Sequence, residues 1–139
     1  MADLTRTKAQ VAVVFPQHAE IYDFIANEAI EAGQPVYQLT TRKVAKADAN
    51  GAGLQQFRGI ALKDVGAGQA VSVLKKGHVE GFDLSGLNGD ALVYLSDTAG
   101  ELADAAGTLT VNVGRVFGLS DANLSKVLYV EADWLRTWA

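Results

Sequence analysis

The stretch Gly89-Asp90-Ala91-Leu92-Val93-Tyr94-Leu95-Ser96-Asp97-Thr98-Ala99-Gly100-Glu101-Leu102 sets the strongest limit on what this chain can fold into. Turn residues fence it at both ends. Between them Ala91, Val93 and Leu95 fall on one face and Leu92 and Tyr94 on the other, so both faces are apolar, as in a strand buried within a sandwich or barrel. An earlier segment, Gly33-Gln34-Pro35-Val36-Tyr37-Gln38-Leu39, has the same turn-then-strand order. Fourteen glycines against two prolines, with frequent Val, Leu and Thr, extend that grammar to the whole chain and predict many short strands joined by tight turns. The expected fold is all-β: an antiparallel sandwich or small barrel of short strands, with an extended N-terminal arm and at most a short helix.

The 139 residues suit one domain with a real hydrophobic core. Residues 1–15 read as an extended arm, because residues 1–10 lack apolar periodicity, and the arm is expected to order only on binding. Residues 16–139 read as the β-rich domain, ending in a tail over 132–139. Within the arm, Val11 to Phe15 is a strand candidate that Pro16 ends. Residues 20–30 are ambiguous. Ile21, Phe24, Ile25 and Ala29 fit helical spacing, while the short link Glu31-Ala32-Gly33 into the next strand suggests a hairpin, and strand is preferred. Further strands are expected over 35–40, 57–62, 70–74, 78–82, 111–119 and 126–131, with turns at 64–68 and at Lys75-Lys76-Gly77. The two halves align at an offset of about 56 residues, Gly33 with Gly89, Tyr37 with Tyr94, Gly59 with Gly114 and Val71-Ser72-Val73 with Leu128-Tyr129-Val130, which reads either as an internal repeat or as a chance likeness of two β-rich halves.

Chemistry is sparse. Without cysteine there is no disulfide, thiol nucleophile or thiolate metal site. His18 and His78 have no metal-ligand spacing and read as exposed turn residues. The serines lack a nucleophile elbow, and Gly66-Ala67-Gly68 lacks the Lys-Ser/Thr of a phosphate loop. Asp97, Glu101 and Asp104 do not match a calcium loop and read as turn-solvating acids. No catalytic residue, cofactor or metal is expected.

A net charge of −4 argues against nucleic acid as a partner. No apolar run approaches the roughly 20 residues that span a bilayer, and residues 1–15 do not form a signal peptide, so the expectation is a soluble intracellular product without a membrane partner. Arg42, Lys43, Lys46, Lys75 and Lys76 read as a basic rim for an acidic protein partner. Trp134 and Trp138, four apart, would share a face on a helical turn, and serve either core packing or a partner contact.

Four pieces in order, Ala29-Ile30-Glu31-Ala32-Gly33-Gln34-Pro35-Val36-Tyr37, then Gly59-Ile60-Ala61-Leu62 leading to Ala67-Gly68-Gln69-Ala70-Val71-Ser72-Val73, then residues 89–102, then Val113-Gly114-Arg115-Val116, resemble the small capsid decoration, or cement, proteins of tailed bacteriophages. The resemblance covers roughly residues 29–132 and consists of glycine-turn grammar. It implies a non-enzymatic, β-rich homotrimer, made in the host cytoplasm, that sits on the outer surface of the virion head, bridges major capsid proteins and stabilises the mature shell. The Trp-bearing tail and the long lead-in before residue 29 depart from the simplest members. The arm is the candidate contact, by adding a strand to a partner sheet. The candidate partner-binding residues are therefore Arg6, Lys8, Val11, Val13, Phe15, Trp134 and Trp138. A receptor- or carbohydrate-binding module of a head or tail fibre is the alternative, and would set Tyr22, Tyr37, Trp134 and Trp138 on one exposed face.

Overall fold

A computed structural model describes residues 2–51, 53–120 and 125–138. Their short apolar runs become ten strands: β1 (Ala12–Val14), β2 (Glu20–Ile25), β3 (Pro35–Gln38), β4 (Val44–Lys46), β5 (Phe57–Ala61), β6 (Ala70–Glu80), β7 (Leu92–Leu95), β8 (Leu102–Ala103), β9 (Asn112–Gly118) and β10 (Lys126–Glu131). The helical content of the described residues is two single 3-10 turns, Lys8–Gln10 and Pro16–His18. All strands join one antiparallel sheet, curled into a half-barrel, in the order β4-β3-β5-β6-β10-β9-β7-β8, with β1 and β2 also paired to β6. The all-β expectation holds.

That order reads the same from either end. The unit β4-β3-β5-β6 recurs as β8-β7-β9-β10, and the registers match. Ile60 faces Leu74 across β5 and β6, as Arg115 faces Tyr129 across β9 and β10, an offset of 55 residues. A register shift follows Val36 opposite Gly59 in the first unit and Val93 opposite Gly114 in the second. Both glycines sit where the adjacent strand comes too close for a side chain. A Cβ on Gly59 would lie 2.5 Å from the Leu74 carbonyl oxygen, and one on Gly114 would overlap that of Tyr129. The units meet at an antiparallel seam that pairs Leu128 with Val79 and Glu131 with Lys76.

The apolar alternation along β6 and β10 buries Val71, Val73, Leu74, Val79, Leu128 and Val130. Each such side chain contributes about 1.5–3 kcal/mol on burial. The core divides in two. Phe57, Ile60, Leu95 and Leu128 belong to the larger cluster, and Ile30, Val36, Val44 and Val71 to a smaller one beside β2.

Two local expectations are corrected. Lys75-Lys76-Gly77 is not a turn, because β6 runs unbroken for 11 residues. Gly77 is needed there for close approach, since a Cβ would lie 3.2 Å from the Ala19 backbone. Along this strand the partners change, from β2 and β5 to β1 and β10. Residues 20–25 are a strand as preferred, yet β2 pairs with β6 and forms no hairpin with β3. Burial diverts the chain: Ala26 and Ile30 enter the smaller cluster, and Ile30 exchanges backbone hydrogen bonds of 3.0 and 2.8 Å with Val65.

Candidate binding surface

The arm lies along the protein's own sheet, which corrects the expectation of a segment ordered only by a partner. Leu4 N–H donates to Leu102 O and Thr7 N–H to Gly81 O, each at 2.8 Å. Its β1 strand pairs with β6, Val13 opposite Val79. The reason is a set of interactions that residues 1–15 do not disclose by themselves. Arg6, whose side chain is only 10% exposed, donates from Nη1 to both Glu101 oxygens (3.0 and 3.1 Å), from Nη2 to Glu31 (2.9 Å) and from Nε to Ala32 O (3.0 Å). It thus ties the arm to both halves of the sheet. Lys8 pairs with Glu31 at 2.9 Å and with Asp64 at 3.5 Å. Lys8 holds the Glu31 carboxyl below its ordinary range, and the Ala32 N–H, followed by Lys8, does the same for Asp64. Val11 is buried against the Gly81 backbone. Of the five arm candidates, Arg6 and Val11 are spent inside the fold, Val13 is half-buried, and Phe15 is exposed, with φ +60°.

The tail is irregular rather than a helical turn, and the two tryptophans separate. Trp138 is buried, with its backbone clasped by Gln56: the amide N–H donates to Oε1 and the carbonyl accepts from Nε2, both at 2.8 Å. Trp134 is half-buried and donates from Nε1 to Arg58 O at 2.8 Å. Its ring lies 4.8 Å from Tyr22 and 6.3 Å from Phe24, with Lys75 Nζ 4.9 Å above it. It divides two clefts, one of about 320 Å³ lined by Glu20, Lys75, Glu131 and Asp133, the other of about 390 Å³ lined by Phe24, Gln38 and Arg58. With Trp138 inside the core, the four aromatics named for a sugar-binding face do not share one.

Three of the five residues of the expected basic rim are matched by acids of the same chain. Lys46 pairs with Glu28 at 3.8 Å, Lys75 with Glu20 at 3.6 Å and Lys76 with Glu131 at 3.4 Å. The acids once compared with a calcium loop each serve a different group. Asp97 accepts from Thr108, Glu101 from Arg6, and Asp104 from the Ala2 N–H.

Two exposed features escaped the reading of the sequence. The first is β2 itself, where Ile21, Tyr22 and Ile25 are each more than 40% exposed. Its unbroken Ile-Tyr-Asp-Phe-Ile run was the available signal, masked by the competing helical spacing. The second is an aromatic cluster around His78, whose ring lies 5.2 Å from Phe15, 4.5 Å from Phe117 and 5.0 Å from Tyr129. His78 is half-buried in β6 rather than in a turn, and its Nδ1 has no hydrogen-bond partner among the described residues.

Burial, with nearby His18 adding to it, lowers the His78 imidazole below its ordinary value. An unfolded histidine takes up its proton near about pH 6.5, before the folded one does, so stability falls as the pH drops through that value. Thermal melts from pH 8 downward are expected to show this decline, and His78→Gln to flatten it. An unchanged slope in the variant would assign the decline elsewhere.

Neither the protein-family models nor the curated proteins match this chain.

Proposed function

We propose that this protein is a structural cement, or decoration, protein of a tailed-phage head. In this reading it is made in the host cytoplasm, binds the outer surface of the virion as a homotrimer, bridges neighbouring major capsid proteins and stabilises the mature shell without catalysis. One observation carries most weight: the four segments that resemble this class fall on β3, β5 and β6 in one half of the sheet and on β7 and β9 in the other, so the likeness is spread over the frame and is not that of a local site. Such a protein needs complementary surface rather than a cleft, because modest contacts repeated over a lattice sum to strong attachment. Phe15, Ile21, Tyr22, Ile25 and Phe117 supply exposed apolar surface for it.

Sedimentation with empty expanded phage heads tests the proposal. The full chain is expected to co-sediment to saturation, and Phe15→Asp, which leaves the buried arm contacts in place, to lower the occupancy. Glycan binding without co-sedimentation would move the assignment to a carbohydrate-binding module. Deleting the arm is a poor test, because Arg6 and Val11 belong to the folded body.

A further inference from the structure

Of the two clefts beside Trp134, the one shared with Phe24 holds a cation without a counter-charge. Five lysines and arginines are partly buried among the described residues: Arg6, Lys46, Arg58, Lys75 and Lys76. Four of them pair with acids of this chain, while Arg58 makes no ion pair with a described residue. Its Nη1 donates to the carbonyl oxygen of the adjacent Phe57 at 3.2 Å, and no other guanidinium N–H finds an acceptor among the described residues. Asp133 acts on it only through space, with its Oδ1 already accepting from the Leu135 N–H at 3.1 Å. Burial outweighs that attraction and lowers the guanidinium from its ordinary value, as for a cation drawn from water without a partner. It stays charged nonetheless, because arginine does not deprotonate in proteins.

The walls around this cation are fixed by the fold. Trp134 is pinned by its Nε1 bond to the Arg58 carbonyl at 2.8 Å, its ring centre lies 6.3 Å from that of Phe24, and Phe24 packs on the smaller core cluster. Gln38 completes the lining; its Nε2 gives one hydrogen to Arg42 O at 3.3 Å and has a second to offer. Lys75, above the Trp134 ring, is paired with Glu20 and lines the other cleft. The space of about 390 Å³ falls within the range of small-ligand sites. Its chemistry selects the ligand. A guanidinium is a planar fork that matches a carboxylate through two parallel hydrogen bonds, and aromatic walls match an apolar body. A phosphate dianion is disfavoured, because a single cation does not balance it and Asp133 repels it. We propose that this cleft binds a monocarboxylate carried on an apolar body, with Arg58 taking the carboxylate and Phe24 and Trp134 the body. The proposal goes beyond the cement-protein reading and does not rest on it: the carboxylate chemistry is the same for a small organic acid and for a glutamate flanked by apolar residues in a partner chain.

The test uses no capsid, so its failure and that of the cement reading are separate results. The ¹⁵N-labelled full chain is titrated with 3-phenylpropionate and, separately, with the neutral 3-phenylpropionamide. The acid is expected to give saturable shifts at the Trp134 indole N–H and at the amides of Phe24 and Arg58, and the amide to bind about tenfold more weakly. Arg58→Gln is expected to remove that preference, and Arg58→Lys, which keeps the charge without the fork, to restore part of it. Asp133→Asn, at an exposed position, provides a variant that leaves Arg58 in place and is expected to tighten binding of the acid by about twofold to fivefold, since it removes a competing charge. A capped Phe-Glu-Phe peptide forms the second arm: tighter binding than the free acid assigns the site to a partner chain, and weaker binding assigns it to a small acid. Equal affinity for acid and amide, a preference that Arg58→Gln leaves unchanged, or shifts confined to residues away from this cleft would overturn the proposal.

Discussion

Arg6→Ala is expected to lower the unfolding free energy by about 2–3 kcal/mol, measured by urea denaturation. Removing one partner of a buried pair typically costs about 3–5 kcal/mol. The expected loss is smaller because the carboxylates left behind keep part of their surface in water, 27% for Glu101 and 47% for Glu31. The loss should also be local. Leu4 and Thr7 donate backbone hydrogen bonds to Leu102 and Gly81, and their amides are expected to lose protection from hydrogen exchange before those of β6. Arg6→Lys should recover only part of the loss, because a single ammonium cannot reproduce a fork shared by Glu101, Glu31 and the Ala32 carbonyl. A change in Arg6→Ala within about 0.5 kcal/mol would show that the arm is not anchored by this residue.

Gly114→Ala is expected to have the largest effect of any single methyl group added to this protein, more than about 4 kcal/mol, or no soluble product. The added Cβ would occupy the position of the Tyr129 carbonyl oxygen, a backbone atom of the neighbouring strand that cannot turn aside as a side chain can. β9 and β10 would have to separate where Val130 faces Gly114, and the seam to β6 lies on the same strand. Gly59→Ala, the equivalent change in the first unit, is expected to cost nearly as much, since its Cβ meets the Leu74 carbonyl oxygen at a φ of +151°. Gly118 provides the control. It lies at the other end of β9, where an added Cβ would meet nothing within 4 Å, and Gly118→Ala should stay within about 0.5 kcal/mol of the parent. Similar destabilisation at Gly118 and Gly114 would mean that close backbone approach is not what these glycines serve.

The parts of the fold that were legible in the sequence are those governed by local pattern. Turn residues around short apolar runs located the strands from β3 onward, and the matching of Gly59 with Gly114 and of Tyr37 with Tyr94 pointed to the doubled unit. Lys75-Lys76-Gly77 misled because glycine serves equally for a turn and for a strand pressed closely by a neighbour, and only the approach of Ala19 distinguishes the two. The arm misled for a different reason. Its partners, Glu31, Ala32 and Glu101, are remote in sequence, so a polar N-terminus looked unanchored when its charge was already matched. The surface was less legible than the frame. Trp134 and Trp138 form one pair in the sequence and occupy two environments in the fold, while Ile21 and Ile25, which entered only the choice between helix and strand, are exposed.

A symmetric dimer of identical chains meets a constraint that this chain escapes. Any residue on its two-fold axis must face its own copy, so a charged side chain there opposes the same charge. Lys76 and Glu131 stand at equivalent places in the two units, 55 residues apart, and they face each other across the seam at 3.4 Å. Covalent linkage of the halves frees the two positions to differ, and the difference turns an unavoidable repulsion into an ion pair.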